Sequence, residues 1–506
     1  MPGHRSSPLA LACVATLAAL ASVTSCAPSF HAKACTSDSD CGASLVCGQR
    51  NNQPACVSGA EDPLRIGMSA PVTGPSQELG TEMKRGITLA FDGQNAAGGI
   101  RGRLIELSFR DDQYQPASAE LAARDLLDVI APASAPARCP TTTESVIAGD
   151  APVSTSALVR GPNAVLALVG SVGTPTMVRS APIAVETGSL FFGAFTGASK
   201  VLRDDMSGAC HKYIFNVRAS YAQEARATVE YFMKQRVPDA RHFISFDQND
   251  SFGQAGYDGL VGALTAINGS APTTLARFRY TRDDQSSVPA QVLSTSAYLG
   301  KLLADGQNHV VGILMTDTYG PATSFIKGIR DWQYADDAEQ ASTQKGKRLT
   351  ILFSNVSFVG PNSLAQRLKD AGSAQSADGP KPYTAGVFVS QVVPNYESDN
   401  SDGVRDYLAA LKAVGQPPSF TSLEGYLSGR VFVAGLAAHV GPFTPDALVA
   451  TFEKLPHLNL GLGATSGFSA ARHDYSKSVF GTAITADGGF SNSYFWSESS
   501  AIQLFE

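Results

Sequence analysis

From Leu64 onward, short apolar runs alternate with stretches whose apolar residues recur every third or fourth position. No other feature of this chain constrains its fold so tightly. LRIGMSAP is followed by SQELGTEMKRGITLAFDGQNAAGG, in which Leu79, Met83, Ile87 and Phe91 share one helical face and Gly98-Gly99 closes the helix. RLIELSF, VLALVG, SLFFGAF, YIFNV, RHFISF, HVVGILM, LTILFSNVSF and GVFVSQVVP read as further strands. Between them, SAELAARDLLDVI and the segments Thr176–Glu186, Ala225–Met233, Gly256–Ile267 and Ala322–Trp332 read as helices. Alternation of this kind predicts parallel sheets covered by helices on both faces. The units are too many for one sheet, so two α/β lobes are expected.

Ahead of this body lies a different kind of sequence. His4 and Arg5 precede the apolar run Leu9–Val23, which is too short for a comfortable membrane span and has the layout of a secretory signal. The run ends in VTSC, which looks like a bacterial lipobox and would make lipidated Cys26 the mature N-terminus. The competing account is an ordinary signal peptide. Acyl chains at about 0.8 kcal/mol per buried methylene would hold the protein on a membrane.

Next comes CTSDSDCGASLVCGQRNNQPAC, with Cys35, Cys41, Cys47 and Cys56 and few apolar residues between them. Such a segment cannot build a core and would rely on disulfides in an exported chain. Zinc is the alternative, but the CxxC knuckle is missing. Four cysteines allow three pairings, of which Cys35–Cys47 with Cys41–Cys56 is the working expectation. Cys139, in an Ala/Pro/Ser/Thr-rich insertion, and Cys210 are expected to form a third bridge.

Two of the expected strands end unusually. ALVGSVGTPT and FFGAFTGA stop in glycine, serine and threonine where bulkier residues would pack better. In open α/β sheets, ligands bind beyond the carboxyl ends of strands, where backbone N–H groups at helix starts are exposed. Thr174 and Thr196 would offer hydroxyls there; two glycine turns with capping threonines are the structural alternative.

Enzyme signatures are missing. There is no G-x-x-x-x-G-K-[ST], no G-x-G-x-x-G after the first strand, no G-x-S-x-G and no H-E-x-x-H. The eight histidines stand in no metal-ligand spacing, so neither metal nor cofactor is expected. A net charge of -6 gives no basic footprint for nucleic acid.

Taken in order, IGMSAPVTGP, the GTEMKRGITLAFDGQNAAGG stretch, DDQYQP, ALVGSVGTPT, FFGAFTGAS, FNVRASYAQE, QNDSFGQAGYDGL, TYGPATSFIKGIR, SFVGPNSLAQRL and SLEGYLSGRVFVAGL carry a resemblance. They resemble the type I periplasmic solute-binding proteins, in the branched-chain amino acid and amide branch that serves ABC importers. The resemblance runs from about Leu64 to Phe495. It implies two doubly wound parallel-sheet lobes joined by a three-stranded hinge, with crossings near Arg218, near Val392 and between Leu462 and Phe480.

The implied division is a signal peptide at 1–25, and an anchor and stapled spacer at 26–61. Lobe 1 spans 62–218 with an inserted loop at 131–162, and lobe 2 spans 219–391. A return to lobe 1 at 392–470 and a C-terminal crossover and tail at 471–506 complete it. A ligand carboxylate would meet Thr174, Ala194 and Thr196. Ser76 and Gln77 would stand at the cleft mouth; Tyr221, Phe252 and Tyr319 would line it.

The chain departs from the amino-acid binders in two places. Asn362 follows Gly-Pro where they carry an acid, and Tyr221 replaces a hinge acid. A buried ammonium without an anionic partner is costly, so Asp250, Asp317 or Glu424 supplies the charge or the ligand is not an α-amino acid. The resemblance implies a non-enzymatic, lipid-anchored receptor of the bacterial envelope, facing the periplasm or cell exterior. It would deliver a small polar organic molecule (amino acid, amide or carboxylate) to an ABC permease. Rival readings are a sensor on the same fold and, further off, an envelope hydrolase.

Overall fold

The computed structural model describes residues 33–42, 45–50, 53–59, 62–130, 139, 157–199, 202–203, 210–233, 242–273, 275–335, 345–376 and 378–505. The signal sequence, Cys26 and residues 131–138 and 140–156 of the insertion lie outside these residues. Two compact units are present: residues 1–63 with Arg101–Arg103, and the remainder.

In the small unit, β1 (Leu45–Arg50) and β2 (Gln53–Ser58) pair antiparallel. Its apolar core is Val46, Ala55 and Val57. Covalent bonds do what so small a core cannot: Cys35 is joined to Cys47 and Cys41 to Cys56.

In the large unit, lobe 1 is built on β3 (Leu64–Ala70), β4 (Ile105–Asp111), β5 (Ala167–Val169), β6 (Leu190–Phe192) and β7 (Ile214–Phe215). These form a parallel sheet in the order β4-β3-β5-β6-β7. Helices α1 (Gln77–Ala96), α2 (Pro116–Leu126) and α3 (Thr174–Glu186) connect them. Leu79, Met83, Ile87 and Phe91 are all buried, as their spacing predicts. Cys139 is bonded to Cys210.

Lobe 2 holds α4 (Tyr221–Tyr231), β8 (His242–Gln248), α5 (Ser251–Asn268), β9 (Ala276–Tyr280), α6 (Val288–Leu302), β10 (His309–Thr316), α7 (Tyr319–Tyr334), β11 (Leu349–Asn355) and α8 (Pro361–Ala371). A two-residue ladder, β12 (Ser373–Ala374) with β13 (Lys381–Pro382), precedes β14 (Val387–Gln391).

The chain then returns to lobe 1 as α9 (Asp402–Ala413), α10 (Phe420–Ala438) and α11 (Pro445–Phe452). Helix α10 lies hard against α1. A Cβ on Gly86 would stand 2.0 Å from the Ser422 carbonyl oxygen, and one on Gly425 2.4 Å from that of Met83. Only glycine permits that approach.

The last segment crosses back as β15 (Ser478–Ile484), β16 (Phe490–Ser497) and β17 (Ser500–Leu504). These extend the lobe 2 sheet to the order β17-β16-β15-β14-β11-β10-β8-β9. The sequence rhythm pointed to parallel sheets throughout. This C-terminal meander instead joins β14 antiparallel after the long excursion through lobe 1, and its own strands, linked by short turns, reverse direction at each step.

Three passages of chain therefore connect the lobes, and the first and third are laced together. Asn216 N–H donates to the His473 carbonyl (2.8 Å), Tyr475 N–H to that of Asn216 (2.8 Å), and Ser476 N–H to that of Val217 (3.1 Å). Among the described residues no helix is long and apolar enough to cross a membrane.

Candidate functional site

The two strand ends singled out in the sequence lie side by side. Beyond β5 and β6 the pairing continues through Phe195 N–H to the Ser171 carbonyl (2.8 Å) and Gly173 N–H to the Phe195 carbonyl (3.1 Å). Gly173 adopts φ 100° and packs under Tyr114, whose ring a Cβ would meet at 2.3 Å. This glycine turns the chain into α3 with Thr174 as the first helical residue. The Thr174 and Thr196 hydroxyls meet at 2.6 Å, and both residues are buried. Thr196 Oγ1 also accepts from Ala198 N–H at 3.3 Å. The first amides of a helix lack intrahelical partners, and with Pro175 second in α3 those of Thr174 and Thr176 remain, so this corner combines hydroxyls with N–H groups and the positive end of a helix dipole. Ala194 is buried in the same loop, and the buried Ser171 hydroxyl has no hydrogen-bond partner.

An aromatic wall drawn from both lobes faces this corner. The Phe358 ring centre is 4.9 Å from that of Phe195, 4.8 Å from Phe252 and 6.1 Å from Tyr114; Tyr221 lies 5.4 Å from Phe252. Gly197 makes room for Tyr221, whose ring a Cβ would meet at 2.6 Å. Burial pushes the Tyr221 hydroxyl up to about 12, so it is a neutral donor at ordinary pH. It approaches Thr196 without meeting hydrogen-bond geometry and is otherwise unpartnered.

Behind the wall, buried Arg218 sits at the first crossing. Its Nη2 donates to Glu224 at 2.8 Å and to the Ser357 hydroxyl, and its Nη1 to Glu424 at 3.3 Å. Glu224 also accepts from Ser357 N–H and the Ser390 hydroxyl, both at 2.7 Å, so it is fully satisfied. One guanidinium cannot balance two buried carboxylates. Burial, reinforced by Glu224 and opposed by Arg218, holds Glu424 up at about 7. Burial likewise lifts Asp112 to about 7, beside Tyr114.

The remaining sequence candidates fall into different roles. Tyr319 donates its hydroxyl to the Pro75 carbonyl at 2.6 Å, and Ser76 donates to Asp283 at 3.3 Å; both contacts bridge the lobes. Gln77 is exposed at the start of α1. Asn362 is committed on both sides of its amide, donating to the Tyr396 hydroxyl (2.7 Å) and accepting from Phe420 N–H (3.0 Å). It sits beside a groove of about 580 Å³ lined by Glu78, Glu82, Arg85 and Arg367.

Of the three acids that could answer an ammonium, Glu424 faces Arg218. Asp250 caps α5 through Phe252 N–H and takes Gln248 and Arg282. Asp317 is different: both oxygens are buried without a partner, and burial together with Asp247 holds its carboxyl well up. Asn355, at the end of the adjacent strand β11, is also buried with its amide unpartnered.

Sequence reasoning missed Ser171, Tyr114, Phe195 and Phe358 as wall and corner residues, and saw Arg218 only as a crossing. A lone arginine directly after a buried strand (FNVR) and a phenylalanine before a Gly-Pro turn (SFVGP) were the available signals.

A family model described as periplasmic binding protein matches residues 63–137, 155–344 and 351–489. A possible leucine/isoleucine/valine-binding protein from Rhodopirellula baltica superposes with a TM-score of 0.63 at 29% identity, covering 85% of this chain and 95% of that one. A leucine-binding protein from Thermotoga maritima gives 0.62 at 14% identity, covering 86% and 99%. A branched-chain amino acid ABC transporter protein from Thermus thermophilus, solved with bound valine, gives 0.59 at 13%, covering 86% and 96%. A Leu/Ile/Val-binding protein homologue from Brucella melitensis is 37% identical over 71 residues; the match spans 14% of this chain and 19% of that relative.

Proposed function

The chain belongs to the periplasmic binding protein family, and from that premise we propose that it is an extracytoplasmic receptor that captures a small polar organic ligand between its lobes and releases it to an ABC permease without chemical turnover. One observation carries this reading: the laced ends of β5 and β6 bring Thr174, Thr196 and the unpartnered Ser171 hydroxyl to the start of α3, opposite an aromatic wall shared by both lobes. A carboxylate or amide oxygen of the ligand takes the place of one hydroxyl in the Thr174–Thr196 pair and gathers the helix-start amides. Phe195, Phe252, Phe358 and Tyr221 receive its less polar part. Ser76 and Tyr319 support the closed arrangement, and Asn362 holds the mouth in shape. Asp317 is the carboxyl still available to an ammonium. Cys26, ending an apolar run, anchors the receptor by lipid.

Mass spectrometry of the small molecule that co-purifies with the tag-free chain, followed by calorimetry with that compound, tests the reading. A stoichiometric small carboxylate or amide is expected. Absence of any bound compound, together with no saturable binding across amino acids, amides and carboxylates, refutes it.

A further inference from the structure

Strands β8 and β10 are parallel neighbours in lobe 2, and each opens on a histidine. His242 stands opposite Val311, which places His309 two residues nearer the amino edge of the sheet. An offset of two preserves the face, so both imidazoles project to the same side. His242 Nε2 and His309 Nδ1 are 3.4 Å apart, with ring centres separated by 5.2 Å. Two imidazole nitrogens bound at about 2.05 Å to one tetrahedral ion stand about 3.3 Å apart, with their ring centres about 5.2 Å apart. A collinear N–H···N bond at the observed nitrogen spacing would push the ring centres further apart, to about 5.7 Å. The rings are thus arranged as ligands that converge on a point beside them.

The other nitrogen of His309 is also fixed. Nε2 lies 2.9 Å from the Asp305 carboxylate, which assigns its proton there and leaves Nδ1 free to accept. A carboxylate holding the far nitrogen is how proteins orient metal-binding histidines. The His309 side chain is 9% exposed and Asp305 51%, so the pair is half sheltered yet reachable from solvent. Arg348, which acts on Asp305, donates to the Leu303 and Gln307 carbonyls. A group of three metal-binding atoms, on Cys35, Cys41 and Cys56, is spent in disulfides and offers no thiolate.

We propose that His242 Nε2 and His309 Nδ1 form a two-imidazole site for a divalent first-row cation, zinc(II) foremost, completed by solvent and oriented by Asp305. Imidazole favours this class of ion over magnesium or calcium. On binding, the proton between the rings moves to His242 Nδ1, His309 keeps its Nε2 proton for Asp305, and no net proton is released from the neutral pair. The site lies at the amino edge of the lobe 2 sheet, the opposite end of the strands from the corner and wall described above. It therefore stands whether or not the ligand reading does.

The test is zinc(II) titration of the tag-free full chain against a chromophoric chelator, with magnesium as control. One equivalent of zinc and no magnesium are expected to bind. His242→Gln should weaken zinc binding at least tenfold, and Asp305→Asn about ten- to a hundred-fold. Melting of the metal-free variants checks their fold; should His242→Gln melt early, the largely exposed Asp305→Asn decides. A wild-type chain that takes up no stoichiometric zinc, or an affinity unchanged in the deciding variant, overturns the assignment.

Discussion

The Thr174–Thr196 contact separates stability from binding in a way that single substitutions cannot. The two hydroxyls satisfy each other at 2.6 Å, with relative exposures of 1% and 0%. Thr196→Val preserves shape but strands the Thr174 hydroxyl and removes the acceptor of Ala198 N–H. A buried polar group left unpaired costs about 1–3 kcal/mol, so each single variant should unfold at lower urea concentration with an unchanged m-value. The double variant Thr174→Val/Thr196→Val removes both partners together. Such a replacement is nearly neutral for the pair, so the share due to the stranded hydroxyl should return while the lost acceptor of Ala198 N–H remains.

Affinity should follow the opposite course. A hydrogen bond to a charged ligand oxygen is worth about 1.5–3 kcal/mol, so each single variant binds roughly ten- to a hundred-fold more weakly and the double variant weakest of all. Urea unfolding of the empty protein and calorimetry with the co-purified ligand complete the cycle. A double variant no more stable than the singles would show that the hydroxyls do not satisfy each other. One that retains affinity would remove them from the site.

Other outcomes can be checked alongside. The folded protein keeps the Glu424 proton up to about pH 7, whereas the unfolded chain loses it near 4.5, so this residue lowers stability as pH rises through that window, by at most about 3 kcal/mol. Glu424→Gln should remove that share of the decline between pH 5 and 8 in paired melts, leaving the parts due to the other raised carboxyls, Asp112 and Asp317 among them; identical pH profiles would contradict it. Cys26→Ser should release the protein from membranes or leave an unprocessed precursor, and wild-type fractionation would rule out the lipid anchor. Solution scattering should show a smaller radius of gyration with ligand than without, since a ligand touching both lobes favours closure; an unchanged profile at saturation would exclude it.

The sequence exposed the strand and helix rhythm because burial follows period: Leu79 to Phe91 and VLALVG needed no partner to be read. Helix starts were harder. Segments expected to begin at Thr176, Ala225, Gly256 and Ala322 begin at Thr174, Tyr221, Ser251 and Tyr319. Their first turns hold polar or glycine residues that break apolar periodicity, and their caps, such as Ser220 with Gln223, show only on close inspection. Those misjudged turns are where the site lies.

Contacts between distant segments were not legible. Nothing local shows that Thr174 will meet Thr196 rather than open water, that Arg218 will face two glutamates, or that His242 and His309 will be strand neighbours. Each juxtaposition depends on which strands the crossings place side by side.

The closing meander has a temporal meaning. β14 gains its outer neighbour, and the first crossing its hydrogen-bonded companion, only when residues 473–504 are present. Until residues 473–504 dock, lobe 2 keeps a bare sheet edge at β14 and the two lobes lack their third tether. Docking of this meander is a long-range step that completes the lobe 2 sheet and the hinge together.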